Sequence, residues 1–143
     1  VVAAVAAVSA TIGGTPAANE PEWTVPRPPR PVPVLALHGR ADEHVPYDGG
    51  RAEKSRGKSS TISVTRSVGL WVDANGCDPD PRVQMMNGGR VERQSWSGCG
   101  DDAEVALYSL EGWGHDWPQK DPLGGFDATA TIWLFFERHR RTP

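Results

Sequence analysis

Cysteine, excess positive charge and long apolar runs are all scarce in this sequence of 143 residues. The formal net charge is −3, so the chain lacks the basic surface that binding to a nucleic acid requires, and we expect no nucleic-acid partner. Residues 1–12 are an apolar run, but roughly 18 apolar residues are needed to cross a bilayer, so no membrane span is predicted. Two cysteines are too few for a small scaffold built on disulfides.

The two cysteines, Cys77 and Cys99, leave two interpretations open. In an exported protein they would pair, closing a loop of about twenty residues that is worth roughly 3 kcal/mol in the chain-entropy model. The alternative is two independent buried thiols. Their number and spacing alone do not decide between the two.

Glycine and proline are abundant, with 16 and 13 residues respectively. They indicate many turns and argue against a helix bundle or a coiled coil. The length is enough for one domain and too short for two ordinary domains. The chain begins with Val1 inside an apolar run, which we interpret as a cut and not as a natural start.

Apolar patterns divide the chain into alternating strands and helices. Residues 1–12 form either a buried strand or the tail of a secretory signal, and residues 13–31 form a Pro- and Gly-rich surface loop. The other predicted elements are a strand at 32–37, a helix at 59–75 ended by Gly76, an edge strand or extended loop at 90–96, a strand at 104–110 covered on both faces, and a helix at 126–141 with Phe126, Ala130, Trp133 and Phe136 on one stripe. This order predicts an α/β architecture.

Two loops carry the residues best suited to chemistry, because reactive groups collect just past the carboxyl ends of strands in such sheets. Asp42 follows the strand at 32–37 by about five residues, and His115 follows the strand at 104–110 by the same distance. An acid that orients an imidazole base is what a hydrolytic triad requires. The alternatives are that Asp42 only caps a turn, that Asp48 is the acid, or that His115 is a surface histidine.

Two further groups of side chains have both functional and structural interpretations. His38, Asp42 and His44 supply metal-ligand types on one loop, but no fourth partner stands at a known spacing, so no metal site is predicted. Trp113 and Trp117 flank the candidate histidine. They form either an aromatic wall for a substrate or ordinary loop packing.

Four motifs follow one another in an order that resembles a known family: LHGRADEHVPYDGG at 37–50, NGCD at 75–78, LYSLEGWGHDWP at 107–118 and IWLFFERH at 132–139. They are similar to the extracellular esterase family that includes poly(3-hydroxybutyrate) depolymerases and feruloyl or acetylxylan esterases, within the α/β-hydrolase superfamily. The resemblance implies the C-terminal part of that fold, with a mostly parallel sheet flanked by helices. It also implies a secreted serine carboxylesterase that acts on a polyester or a plant cell-wall ester without a cofactor, with Asp42 as the triad acid and His115 as the base.

The nucleophile elbow of that superfamily, G-x-S-x-G, is absent from the sequence. Ser97 lacks the preceding glycine, and the residues after Ser9 do not have a helical pattern. The resemblance therefore implies that the serine and the oxyanion donors lie upstream of Val1, in a missing N-terminal half of the same domain. It also implies that residues 1–9 are the strand that follows the nucleophile helix, and that the 143 residues alone are inactive.

A second class of function stays open because the nucleophile is missing. A degenerate hydrolase domain would bind a ligand on the aromatic loop at Trp113 and Trp117 without catalysis. Trp113 also departs from the family pattern, which has a small residue at that position. The sequence does not identify the ester that the complete protein would cleave.

Overall fold

The fold is an α/β arrangement in which a five-stranded sheet lies between two helices. The computed structural model describes residues 2–52, 54 and 57–140. The elements of these residues, in chain order, are β1 (Val5–Val8), β2 (Gly13–Thr15), β3 (Trp23–Thr24), β4 (Val34–Gly39), β5 (Ser60–Thr61), α1 (Val64–Asn75), β6 (Arg82–Met86), β7 (Val91–Trp96), β8 (Val105–Leu110) and α2 (Ala128–Arg138). The predicted α/β class is confirmed.

The large sheet has the strand order β1-β4-β8-β7-β6 and is mixed. Strands β1, β4 and β8 run parallel, whereas β7 pairs antiparallel with β8 and with β6. The resemblance implies a mostly parallel sheet, whereas two of the four strand pairs that the described residues form in this sheet are antiparallel. The tight turn at Asn87–Gly89, in which all three residues have positive φ, reverses the chain between β6 and β7 and makes this pair a hairpin. Strand β7 is consequently an interior strand of the sheet.

The core lies on both faces of the sheet, because alternate residues of β4 and β8 point to opposite sides. Leu35 and Leu37 pack on the side of α2, where Phe135 is buried against them. Ala36 packs on the other side, against Val68 of α1. All six residues of β4 and all six of β8 are buried. The expectation that the strand at 104–110 is covered on both faces is confirmed.

The predicted buried strand at 1–12 is shorter and more exposed than expected. Only Val5–Val8 form β1, and these residues are half-buried. The reason is that β1 lies at the edge of the sheet, with β4 as its neighbour in the described part of the chain. Ser9 follows at a φ of 51°, which ends the extended conformation. Val1 lies outside the described residues.

The predicted loop at 13–31 contains two short strands, which corrects the expectation of a segment without regular structure. Strands β2 and β3 pair antiparallel, and β2 also pairs with β5 to give a second, three-stranded sheet. A Cβ at Gly14 would overlap the carbonyl oxygen of Ser60, so glycine is what permits this close approach. The strands fit between the prolines of the segment and do not include any of them.

Helix α1 begins later than predicted and ends at the residue that the sequence indicates. The Ser63 hydroxyl accepts a hydrogen bond from the Arg66 N–H and caps the first turn. Gly76, at a φ of 65°, ends the helix in the left-handed conformation. The side chain of Asn75 is buried and bonds both the N–H and the carbonyl of Val32, which ties the end of α1 to the chain just before β4.

Replacing Gly69 by Ala is expected to stabilise the chain by about 0.5–1 kcal/mol, because glycine inside a helix is less favourable than alanine by that amount. Gly69 lies in the middle of α1, and an added Cβ would have no atom within 4 Å. Urea denaturation of the 143-residue chain measures the change. Gly76→Ala is the matched control and should destabilise, since it places a Cβ at positive φ. A decrease for Gly69→Ala would contradict the packing of α1.

Helix α2 begins at Ala128 and is capped by the preceding Asp127, whose carboxylate accepts a hydrogen bond from the N–H of Ala130. Its buried residues are Ala128 and Phe135, seven positions apart on one face. The predicted stripe is wrong as a buried face, because the Trp133 side chain is 62% exposed and Phe136 is 36% exposed. The helix has apolar residues on more than one side, so the 3.6-residue period does not single out one face. Arg141 lies outside the described residues.

Cys77 and Cys99 form a disulfide, which decides between the two interpretations of the sequence. The bond joins the chain just after α1 to the chain between β7 and β8. It therefore fastens α1 to the sheet on which that helix packs. Neither helix of the described residues has the length and apolar content needed to cross a bilayer.

Candidate active site

The pairing of β4 with β8 fixes where the two candidate loops leave the sheet. His38 lies beside Ser109, and Gly39 lies beside Leu110, in a parallel register. The two strands therefore end at the same level of the same edge. The loop that carries Asp42 and the loop that carries His115 start as neighbours, as expected for reactive groups at the carboxyl ends of parallel strands.

The two loops also touch through their backbones. The N–H of Ala41 donates to the carbonyl oxygen of Trp113 over 2.9 Å. A Cβ at Gly39 would overlap that same oxygen and would lie 2.6 Å from the carbonyl oxygen of Gly114. Glycine at position 39 thus lets the second loop cross directly over the end of β4.

Asp42 and His115 are brought together by this crossing. The Oδ2 atom of Asp42 lies 2.9 Å from Nδ1 of His115. The Asp42 side chain is fully buried, whereas the His115 side chain is 42% exposed. An ionised carboxylate only accepts hydrogen bonds, so Nδ1 carries the proton and Nε2 keeps its lone pair for a reacting group.

The carboxylate of Asp42 is ionised because the loop supplies it with donors. Its Oδ1 atom accepts the backbone N–H groups of His44 at 2.9 Å and Val45 at 2.8 Å. Burial acts to raise the pKa of the Asp42 carboxyl. The hydrogen bonds from Val45, His115 and His44 outweigh burial, and the pKa lies below its ordinary value. Asp42 therefore caps the turn of its own loop and contacts His115 at the same time.

His38 is a buried neighbour of the pair that sequence reasoning did not place in the site. Its Nε2 lies 2.9 Å from the carbonyl oxygen of Val45 and 3.5 Å from Oδ2 of Asp42. Burial lowers the pKa of His38, although the Val45 carbonyl and the charge of Asp42 act in the opposite direction. A neutral His38 donates from Nε2 to the carbonyl oxygen of Val45. This hydrogen bond ties the end of β4 to the loop that carries Asp42. The four-residue spacing of His38 and Asp42 was the available signal.

Acidification is expected to destabilise the chain, starting near pH 6.5, the ordinary pKa of histidine in an unfolded chain. Because the pKa of His38 is lower in the folded state, the unfolded state binds the proton first, and stability is lost as the pH falls. The slope for this single group cannot exceed about 1.4 kcal/mol per pH unit, the limit for one proton. Urea denaturation between pH 7 and pH 5 measures it. His38→Asn, which keeps a donor, should flatten this slope, and a flat wild-type profile would contradict the prediction.

The other sequence candidates lie around this pair. Asp48, the alternative acid, is exposed. Trp113 is half-buried, packs against the core on the α2 side, and donates its indole N–H to the carbonyl oxygen of Asp116. Trp117 is 53% exposed. The loop-packing interpretation therefore describes Trp113, and Trp117 is the more accessible of the two indoles.

The sequence analysis considered His38, Asp42 and His44 as a possible set of metal ligands. In the structure, His115 takes the place of His38 in this group. His38 is held by the Val45 carbonyl, whereas His44 lies against His115, with ring centroids 5.0 Å apart and planes tilted by 31°. One ligand atom each from Asp42, His44 and His115 fall within 4.8 Å of one another. His44 and His115 lie on different loops that are far apart in sequence, so the pattern within either loop does not predict their contact.

Comparison with known proteins finds distant relatives that are named as esterases. No family model matches the chain. The chain is 31% identical over 90 residues to feruloyl esterase B of Piromyces equi, an alignment that covers 62% of this chain and 16% of that protein. It is 29% identical over 104 residues to the putative esterase NocK of Nocardia uniformis subsp. tsuyamanensis, covering 64% of this chain and 30% of that protein. The chain thus spans less than a third of either relative.

Proposed function

We propose that this chain supplies the acid and the base of a serine carboxylic ester hydrolase of the poly(3-hydroxybutyrate) depolymerase and feruloyl esterase type. The observation that carries the proposal is the 2.9 Å contact between the buried Asp42 and the half-exposed His115. Relatives named as esterases support the reaction class. Asp42 is the triad acid and His115 the base.

The proposed mechanism assigns one task to each side chain. Nε2 of His115 takes the proton of the serine hydroxyl as the oxygen attacks the ester carbonyl. Asp42 holds the ring in the required tautomer and stabilises the imidazolium that forms. His115 then gives the proton to the leaving alcohol. It later takes a proton from the water that attacks the acyl-enzyme and gives it to the serine oxygen as the bond to the acyl carbon breaks. Each oxyanion needs donors, and loss of one such donor in other hydrolases costs roughly 3–4 kcal/mol.

The serine and the oxyanion donors come, in this proposal, from a preceding segment of the same domain. The sequence contains no G-x-S-x-G, so the chain itself offers no nucleophile elbow. The relatives are several times longer than the aligned part, which leaves room for such a segment. The partner of residues 1–143 would thus be the N-terminal half of their own fold.

The substrate proposed is an ester with an accessible acyl or alcohol group, from a polyester or from a plant cell-wall polymer. The name of feruloyl esterase B supports an aromatic acyl group. Trp117, two residues after His115 and 53% exposed, provides a surface on which such a group would stack. Trp113 would shape the pocket wall from its half-buried position. The disulfide between Cys77 and Cys99 supports export to an oxidising compartment.

The 143-residue chain alone is expected not to hydrolyse p-nitrophenyl acetate above the buffer rate, because it lacks both the nucleophile and the oxyanion donors. The polypeptide extended upstream to include the serine should be active, and its Ser→Ala variant should lose that activity. Release of p-nitrophenol measures all three. Serine-dependent turnover by the 143 residues would refute the division of the triad. Ligand binding without turnover by the extended protein would instead favour the non-catalytic alternative.

A further inference from the structure

His44 is a second exposed imidazole at the site, and the proposed reaction gives it no task. It lies on the acid loop two residues after Asp42, and its backbone N–H is already bonded to Oδ1 of Asp42. Its ring faces the ring of His115 at 5.0 Å. The position of the imidazole is therefore set by the same loop that holds the acid.

We propose that Asp42, His44 and His115 form a binding site for a divalent transition-metal ion of the zinc class. Their ligand atoms lie within 4.8 Å of one another. In a tetrahedral zinc site with bonds of about 2.0–2.1 Å, ligand atoms are roughly 3.3 Å apart. The three groups therefore reach an ion after a shift of about an ångström, which the two exposed imidazoles can make by rotation.

The contacting atoms of Asp42 and His115 lie slightly closer together than two ligands of one tetrahedral ion, so they would separate by roughly 0.4 Å on binding. Oδ2 of Asp42 and Nδ1 of His115 are 2.9 Å apart, with one proton between them. An ion that binds both atoms takes the place of that proton, which leaves for solvent. His44 adds the third ligand from the exposed side, and water fills the remaining position, as in other zinc sites with three protein ligands.

The types of ligand select among metal ions. Two imidazoles suit zinc, copper, iron and nickel, whereas calcium and magnesium prefer oxygen ligands in larger numbers. The ionised carboxylate of Asp42 places a negative charge at the buried end of the site, which favours a cation. Glu43, the acid between Asp42 and His44, is paired with Lys54 and does not compete for the ion.

Occupation of the site has a consequence for the reaction, and this part rests on the proposed function. A neutral His115 that binds the ion through Nδ1 carries its proton on Nε2. It then has no lone pair to accept the proton of a serine. The ion is therefore expected to act as a reversible inhibitor of the complete esterase, competing for the base.

The binding test titrates Zn²⁺ into the 143-residue chain in an isothermal titration calorimeter, once a cooperative urea transition shows that the chain folds alone, and into the complete protein if it does not. We expect one Zn²⁺ per chain, at least a tenfold weaker affinity for His44→Ala, and no binding of Mg²⁺. His139→Ala is the matched control, because His139 also faces a carboxylate, that of Glu104, at 3.4 Å. Equal affinity of the wild type and His44→Ala, or an equal loss in His139→Ala, would overturn the site. The unfolding midpoint of each variant shows whether the fold is kept.

A second measurement separates this proposal from the proposed function. In the complete esterase, Zn²⁺ should inhibit ester hydrolysis, and His44→Ala should require at least tenfold more Zn²⁺ for the same fractional inhibition of its own rate. If the chain binds Zn²⁺ through His44 but the complete protein cleaves no ester, the metal site stands and the esterase proposal fails. If the esterase is active and the chain binds no Zn²⁺, the metal site fails.

Discussion

Replacing Asp42 by Asn in the complete protein is expected, under the proposed function, to lower kcat by about 10⁴-fold, the loss seen when the acid of a serine protease triad is replaced in this way. The amide cannot stabilise an imidazolium, and it no longer selects the tautomer with the proton on Nδ1 of His115. Its oxygen can still accept the N–H groups of His44 and Val45, so the loop should keep its conformation. Steady-state hydrolysis of p-nitrophenyl acetate gives kcat and KM separately.

Asp48→Asn is the matched control for this substitution. Asp48 lies on the same loop, and its side chain is exposed. The kcat of the Asp48→Asn variant should stay within a factor of two of the wild-type kcat. A change of less than tenfold for Asp42→Asn, or a large loss for Asp48→Asn, would show that Asp42 is not the acid of the triad.

Gly39→Ala is expected to destabilise the chain by about 3 kcal/mol, the upper part of the range for overpacking a well-filled site. The added Cβ would overlap the Trp113 carbonyl oxygen and lie 2.6 Å from that of Gly114. Both obstacles are backbone atoms, so the loops must separate. The hydrogen bond between Ala41 and Trp113 would then lengthen, and His115 would move away from Asp42. Urea denaturation of the 143-residue chain measures the stability.

Gly114→Ala, on the loop that carries His115, is the matched control for Gly39→Ala. A Cβ at Gly114 would have its nearest neighbour, the Ala41 carbonyl oxygen, at 4.0 Å. Gly114→Ala should therefore change the free energy of unfolding by less than about 0.5 kcal/mol. Equal stability of the two variants would mean that the loops do not cross as closely as the structure has them. In the complete esterase, Gly39→Ala should also lose activity, because the loss of geometry includes the contact between Asp42 and His115.

The elements that could be predicted are those whose local sequence pattern matches their burial in the folded protein. The apolar runs that became β4 and β8 are continuous because both faces of each strand are buried, and such runs are visible without a structure. Their carboxyl ends then place Asp42 and His115 near one another by a general rule of parallel sheets. The helix stop at Gly76 was predictable for the same reason, since a left-handed residue favours glycine.

The parts that were missed depend on contacts between segments far apart in sequence. The small sheet exists because Gly14 admits the chain at Ser60, and nothing near residue 14 signals that approach. The buried face of α2 was misassigned because apolar residues surround the helix, and only the sheet decides that Phe135 is covered and Trp133 is not. The contact between His44 and His115 likewise requires two loops to cross.

The loops after β4 and β8 leave the sheet at the same level, and this bears on where the chain can tolerate insertions. Asp42 and His115 are each reached within a few residues of strand ends held in register, so the pairing of β4 with β8 sets how far apart the two loops start. Extra residues are therefore best tolerated beyond these positions, at an exposed loop residue such as Gln119, where the strand register that places Asp42 and His115 would be kept.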